Sequence, residues 1–172
     1  MKVVYLDRDG VINIDTGYVY KIEDFEFKEN IFESLSYLNK SGYEIIIITN
    51  QSGIGRGLYT DSDFQKLNQW MLKQFINNGI KVLDVFYCPH IDSDNCDCRK
   101  PKAGLFKQSI EKYPINTGLS WMIGDSERDI TAAITAGIKN TILLAEYTNQ
   151  KKETAATKVI ENICEITEII NS

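Results

Sequence analysis

The sequence predicts an α/β protein built on a doubly wound, mostly parallel sheet with helices on both faces. Three observations predict it. Runs rich in Val, Ile and Leu recur along the chain, as strands buried on both faces require. Segments with apolar residues at helical spacing separate those runs. Polar side chains follow four of the five runs, so one sheet edge collects them, and ligands bind beyond that edge in such folds.

In chain order, "KVVYLD" (2–7), "YEIIIIT" (43–49), "VLDVFYC" (82–88), "SWMIGD" (120–125) and "NTILL" (140–144) read as strands. Between them, "NIFESLSYLNKSG" (30–42) and "DSDFQKLNQWMLKQFINNG" (61–79) read as helices, each closing on Lys or Asn beside a Gly. "KAGLFKQSIEKY" (102–113) and "ERDITAAITAG" (127–137) read the same way. The final "KVIENICEITEIIN" (158–171) is expected to form a short strand and a terminal helix, with Cys164 on its apolar face as a core residue. No repeat, low-complexity stretch or linker interrupts the pattern, so residues 1–172 are expected to form one domain.

The hydrophobic fraction of 43% and charged fraction of 25% are those of a globular chain of ordinary size. A net charge of −5, with both signs interspersed, disfavours a nucleic-acid surface. No segment approaches the roughly twenty apolar residues that cross a bilayer. Met1-Lys2 leads straight into a strand without a signal peptide, so a cytoplasmic protein is expected. No association stripe is visible, which leaves a monomer as the default.

Asp7 and Asp9 stand where the first apolar run stops. Carboxylates that close, beside a low-dielectric interior, repel each other and suit a shared Mg²⁺, which prefers hard oxygen ligands. The competing reading is an ordinary Asp-Gly turn. "GDSERD" (124–129) is a second acidic element; Asp125 would complete the metal's protein ligands and Asp129 would orient neighbouring groups. Acids also favour a helix N-terminus, so both readings stand together. In "TNQSGIGRG" (49–57), the Thr49 hydroxyl, Asn50 and the backbone N–H groups of the Gly-rich turn suit phosphate oxygens. A dinucleotide fingerprint is excluded, because Leu58 stands where its third glycine belongs. The alternative is a flexible loop capped by Thr60 or Asp61. "CRKP" (98–101) adds Arg99 and Lys100, two cations for phosphate groups or two plain surface charges.

Cys88, His90, Cys96 and Cys98 gather the one histidine and three of the four cysteines within eleven residues. That spacing suits tetrahedral Zn²⁺, and four protein ligands leave no open position, which marks a structural site. Such a site would stiffen the polar "IDSDN" loop and aim Arg99 and Lys100. A calcium loop on Asp92 and Asp94 is the weaker idea, since no EF-hand Gly or Glu follows.

Taken together and in order, "LDRDG", "TNQ", "RKP" and "GDSERD" resemble the four motifs of the haloacid dehalogenase superfamily of phosphohydrolases. "DRDGVIN", "DTGYVY", "TNQSGIGRG" and "CPH…CDCRKP" are similar to its heptose 1,7-bisphosphate phosphatases, small capless zinc-containing members related to the histidinol-phosphate phosphatases. The chain departs in its short span between metal-ligand pairs and in Ser126, where relatives often carry lysine.

The resemblance implies a Mg²⁺-dependent phosphatase acting on a small phosphorylated sugar. Asp7 would attack phosphorus, and Asp9 would act as general acid and then base. Mg²⁺ would sit on Asp7, the Asp9 carbonyl and Asp125. Thr49, Asn50 and Lys100 would stabilise the phosphoryl oxygens. Substrate selection would fall to Asp15, Gly17 and Tyr18 of "DTGY", to Gln51 and Ser52, and to Arg99 for a far phosphate. Histidinol phosphate is the rival substrate, and a catalytically inactive zinc-stabilised binding module is the rival of another class.

Overall fold

The computed structural model describes residues 1–145 and 153–170. Its strands are β1 (Val3–Leu6), β2 (Glu44–Asn50), β3 (Asp84–Cys88), β4 (Trp121–Gly124), β5 (Asn140–Leu144) and β6 (Lys158–Ile160). Its helices are α1 (Ile31–Lys40), the single turn α2 (Ser52–Gly55), α3 (Asp61–Asn77), α4 (Gly104–Lys112), α5 (Glu127–Thr135) and α6 (Ile166–Ile169).

The six strands form one sheet in the order β3-β2-β1-β4-β5-β6. Every pairing is parallel, including β5 with β6, so the expected "mostly parallel" sheet is wholly so. Side chains on a strand alternate between faces, and the two cores divide accordingly. Val4, Leu6, Ile45, Ile47 and Ile123 join the core under α1, α3 and α6, which contribute residues such as Leu35, Phe75 and Ile166. Val3, Tyr5, Ile46, Ile48 and Met122 join the opposite core with Leu105 and Phe106 of α4 and Ala132 and Ala133 of α5. This two-sided burial is why the runs in the sequence are continuous rather than alternating.

Helix boundaries follow local chemistry. Gly42 (φ 78°) and Gly79 (φ 72°) take left-handed backbone where α1 and α3 end. Thr60 opens α3 through a capping box, accepting from the Asp63 N–H at 3.1 Å while its own N–H donates to the Asp63 carboxylate at 3.0 Å. The glycine-rich loop after β2 is not slack but winds into α2.

Two expectations need correction. β3 starts at Asp84 rather than two residues earlier. The terminal segment begins as a 3₁₀ turn, Ile163–Glu165, before α6, and Asn171 lies outside the described residues. Asn162 caps that turn by accepting from the Cys164 N–H, and Glu165 accepts from the N–H groups of Glu161 and Asn162. The tighter turn directs Ile163, Ile166 and Ile170 inward and leaves Cys164 exposed instead of in the core.

Parallel strands bring all their C-terminal ends to one edge. The order reverses at β1, with β2 on one side and β4 on the other, so the crevice of an open α/β sheet opens beyond β1. No described helix is long and apolar enough to cross a membrane.

Candidate active site

Asp7 is the first residue beyond β1, and its N–H donates to the Ile123 carbonyl of β4 at 3.1 Å, extending the sheet by one residue. The chain then turns sharply, with three consecutive N–H groups, those of Val11, Ile12 and Asn13, directed at the Arg8 carbonyl. Gly10 sits in this turn at φ 85°, and a Cβ there would run into the Asp125 carboxylate. A glycine is therefore what lets Asp125, beyond β4, close on Asp7. Oxygens of Asp7, Asp125 and Asp129 all lie within 4.8 Å of one another.

One cation stands against these three acids. The buried Lys100 ammonium is 3.0 Å from Asp7 Oδ1 and 2.7 Å from Asp129 Oδ1. It also donates to the Ile48 carbonyl at 2.8 Å. Burial against the Asp129, Asp125 and Asp9 charges drives the Asp7 carboxyl well above its usual range, with Lys100 opposing. Burial, reinforced by Asp129, pushes Asp125 up to about 6. Asp129 is held low by the Lys100 charge despite its burial. Asp125 Oδ1 is buried without a hydrogen-bond partner. Three converging carboxylates, with one Asp125 oxygen left unpartnered, offer the hard oxygen ligands of a divalent cation, and the residues fit Mg²⁺.

Asp9 is differently surrounded. Arg8, itself buried, grips it with Nη2 at 2.8 Å from Oδ1 and Nε at 3.1 Å from Oδ2. Asn13 donates to Oδ1 at 3.1 Å, and Gln51 Nε2 to Oδ2 at 3.0 Å. The carboxylate is fixed by donors, not by neighbouring acids, and its side chain keeps a partly exposed edge on the cleft.

That cleft, about 260 Å³, brings together the six residues expected to select substrate, Asp15, Gly17, Tyr18, Gln51, Ser52 and Arg99, with Asn50, expected to meet the phosphoryl oxygens. Asp7 and Asp9 share its wall, while Thr49 and Lys100 are buried beneath it. Gly17 (φ 86°) and Tyr18 (φ 50°) both take left-handed backbone, and Asp15 Oδ1 accepts from the Gly17 N–H. Two amides are already engaged. Asn50 accepts from the Lys100 N–H at 3.0 Å and donates to the Lys100 carbonyl at 3.1 Å, so it clamps that backbone. Gln51 serves Asp9 and Thr49. The cleft also holds Arg8, Arg56, Tyr59 and Arg128, none of which sequence reasoning singled out. Arg56 and Arg128 stand inside the Gly-rich and acidic motifs, but only the fold turns them to the same cleft.

Beside it, four ligand atoms of Cys88, His90, Cys96 and Cys98 converge. His90 Nδ1 is 3.2 Å from Cys98 Sγ and 3.5 Å from Cys88 Sγ, and the three sulfurs are 3.0–3.6 Å apart. Those separations exceed a disulfide bond of about 2.05 Å and approach the edges of a tetrahedral thiolate site. Burial beside the other thiols pushes Cys88 strongly up, a cost that a soft divalent ion would remove. Asp92 and Asp94 stay outside this group: Asp92 pairs with Arg99 at 2.6 Å and Asp94 accepts from the Ile91 N–H. The loop packs against α2, where Gly55 donates to the Pro89 carbonyl and has no Cβ to block the approach.

A HAD-hydrolase-like family model matches residues 97–166. The chain is 46% identical to a D-glycero-alpha-D-manno-heptose-1,7-bisphosphate 7-phosphatase of Campylobacter jejuni, over 96% of this chain and 93% of that one. It is 40% identical to a D-glycero-beta-D-manno-heptose-1,7-bisphosphate 7-phosphatase of Haemophilus ducreyi, over 99% and 98%. Its structure superposes with a TM-score of 0.87 on a D,D-heptose 1,7-bisphosphate phosphatase from B. bronchiseptica complexed with magnesium and phosphate, 28% identical, covering 99% of this chain and 98% of that one.

Replacing Lys100 by Met should expose the cost of the acid cluster. A carboxyl whose folded pKa is raised binds its proton more tightly folded than unfolded, so the cluster destabilises the metal-free fold increasingly as pH rises from about 4 through about 6. Lys100→Met is expected to lose about 3–5 kcal/mol at pH 7 and clearly less at pH 5, read by urea denaturation without metal.

Proposed function

The chain belongs to the heptose 1,7-bisphosphate phosphatase family of HAD-like hydrolases, and from that premise we propose that it hydrolyses the C7 phosphate of D-glycero-D-manno-heptose 1,7-bisphosphate through an aspartyl-phosphate on Asp7. The observation that carries this reading is the Asp7 carboxylate, gathered with Asp125 and Lys100 beyond β1 and open to a cleft of sugar-phosphate size. A binding module that had lost catalysis would have no need for so costly a charge cluster.

Asp7 attacks phosphorus in line; its carboxylate O–P bond forms as the bond from phosphorus to the sugar oxygen breaks. Asp9 delivers its proton to the departing alkoxide, giving the free hydroxyl. The resulting Asp9 carboxylate then takes a proton from the water that cleaves the acyl-phosphate, releasing inorganic phosphate. Asp7, the Asp9 carbonyl and Asp125 would hold Mg²⁺, which offsets the repulsion between an anionic nucleophile and an anionic phosphate. Lys100 is paired with Asp7 and Asp129 and donates to the Ile48 carbonyl. Its contribution is field and position, keeping Asp7 anionic and aimed. Asp129 acts through Lys100, and Asn50 through the Lys100 backbone. Thr49 is left as the hydroxyl donor to the phosphoryl oxygens.

Cys88, His90, Cys96 and Cys98 would hold Zn²⁺ as a structural ion, bracing the segment that leads into Arg99 and Lys100. Three reduced thiols this close suit the cytoplasm, where we place the reaction. The far phosphate falls to the arginines. Arg99 is half-committed to Asp92, whereas Arg56 and Arg128 line the cleft with no ion-pair partner among the described residues. Arg128 thus supplies a cation close to the position where Ser126 replaces the lysine of relatives.

Inorganic-phosphate release should be greatest for the heptose 1,7-bisphosphate anomers with Mg²⁺ and should vanish in Asp7→Asn with the melting curve intact; a preference for histidinol phosphate would overturn the substrate. The double variant Arg56→Ala/Arg128→Ala should raise KM for the bisphosphate by about tenfold or more relative to heptose 7-phosphate, since charge-assisted hydrogen bonds to the far phosphate are lost. Cys96→Ser should release zinc, measured by metal analysis, and depress kcat through a displaced Lys100. Unchanged kinetics in a zinc-free variant would separate the two sites.

A further inference from the structure

Gln51 is almost wholly buried, and its single amide touches three groups. Its nitrogen donates to Asp9 Oδ2 at 3.0 Å and to Thr49 Oγ1 at 2.8 Å. Its oxygen accepts from the Tyr59 hydroxyl at 2.6 Å. With its nitrogen towards Asp9 the amide completes the set of N–H donors, from Arg8 and Asn13, that the Asp9 carboxyl group accepts, and the opposite orientation would lose that bond. Tyr59 reinforces it from the other end. Burial pushes its phenol up to about 12, so the proton stays on oxygen and is donated. The ring is held by stacking on Tyr20, centroids 5.0 Å apart at 11°, and by Gly53, where any Cβ would strike it.

We propose that Tyr59 is a positioning residue for phosphoryl transfer, fixing the Gln51 amide so that this one group sets both the plane of the Asp9 carboxylate and the direction of the Thr49 hydroxyl. Because Thr49 Oγ1 accepts a hydrogen bond from Gln51, its own hydrogen is left for another acceptor, which in the function proposed above is a phosphoryl oxygen. Because Arg8 spans both Asp9 oxygens, with Asn13 added on Oδ1 and Gln51 on Oδ2, the carboxyl group is held against rotation about its own axis. Tyr59 makes no hydrogen bond to Asp9 or Thr49 and acts through Gln51.

This rests on Asp9 being the proton donor described above, and leaving-group dependence tests the two ideas separately. Departure of a sugar alkoxide needs a proton, whereas departure of p-nitrophenolate does not. kcat/KM reports only steps up to the first irreversible one, so acyl-phosphate hydrolysis is excluded from the comparison. The readout is kcat/KM on heptose 1,7-bisphosphate divided by kcat/KM on p-nitrophenyl phosphate, for the Mg²⁺-loaded full chain. Asp9→Asn should lower that ratio most. Tyr59→Phe, which keeps the ring and its packing, should lower it about tenfold, as loss of one buried hydrogen bond would. Gln51→Met should lower it further and decides the matter if Tyr59→Phe does not fold. A ratio unchanged in the Tyr59 and Gln51 variants, while Asp9→Asn lowers it, overturns the positioning role alone. A ratio unchanged in Asp9→Asn overturns the acid assignment itself.

Discussion

The Lys100 ammonium, 3.0 Å from Asp7 and 2.7 Å from Asp129, is the interaction on which the site depends. Burying one acid with one base roughly breaks even. Burying three acids with one base does not, and the residual charge shows in the raised Asp125 and the orphaned Asp125 oxygen. A site left anionic at its floor selects for a divalent cation before it selects for any substrate. The metal is thus implied by the protein's own charge imbalance rather than added to a finished pocket.

Lys100 reaches that position only because several weak constraints agree. Asn50, at the last residue of β2, holds the Lys100 backbone by both ends of its amide. Ile48, two residues earlier, receives the ammonium. The Cys/His loop delivers the chain to this point from β3, the edge strand beside β2. A polar loop of that composition has little apolar surface to bury, and a metal ion held by its four converging ligands would do the work that a core does elsewhere. Sheet order, loop and charge pair therefore form one dependency.

Much of this was legible in the sequence for a physical reason. Ile45–Ile48 are entirely buried, so β2 appears as an unbroken apolar run. The Cys/His cluster is local, and ligand spacing carries its meaning within eleven residues. Asp7, Asp9 and Asp125 announce themselves by following buried strands. What escaped depends on long-range placement. Asn50 reads as a phosphate donor in the sequence, and only the fold shows that its amide also holds a backbone fifty residues away. Arg56, Tyr59 and Arg128 carry no local pattern that distinguishes them from ordinary surface or packing residues. Cys164 was misplaced because a capped 3₁₀ turn shifts the phase of the helix that periodicity assumes.

The division of charge along the cleft gives a reason for selectivity without a cap domain. In the proposed reading the floor would meet a phosphoryl group, a feature common to every phosphate ester, and so would discriminate poorly. The rim carries Arg56, Arg99 and Arg128, with the left-handed Gly17–Tyr18 turn across the same cleft. A monophosphate would satisfy the floor and leave the rim cations solvated, gaining nothing from them. A bisphosphate would engage both ends, and in the proposed reading the second engagement would fix which phosphate lies over Asp7. Asp92 would sharpen the contrast, because only an anion that outcompetes its 2.6 Å contact would gain full use of Arg99. Discrimination would then come from a competition of anions for arginine at the entrance, which an open site can conduct without enclosing its ligand.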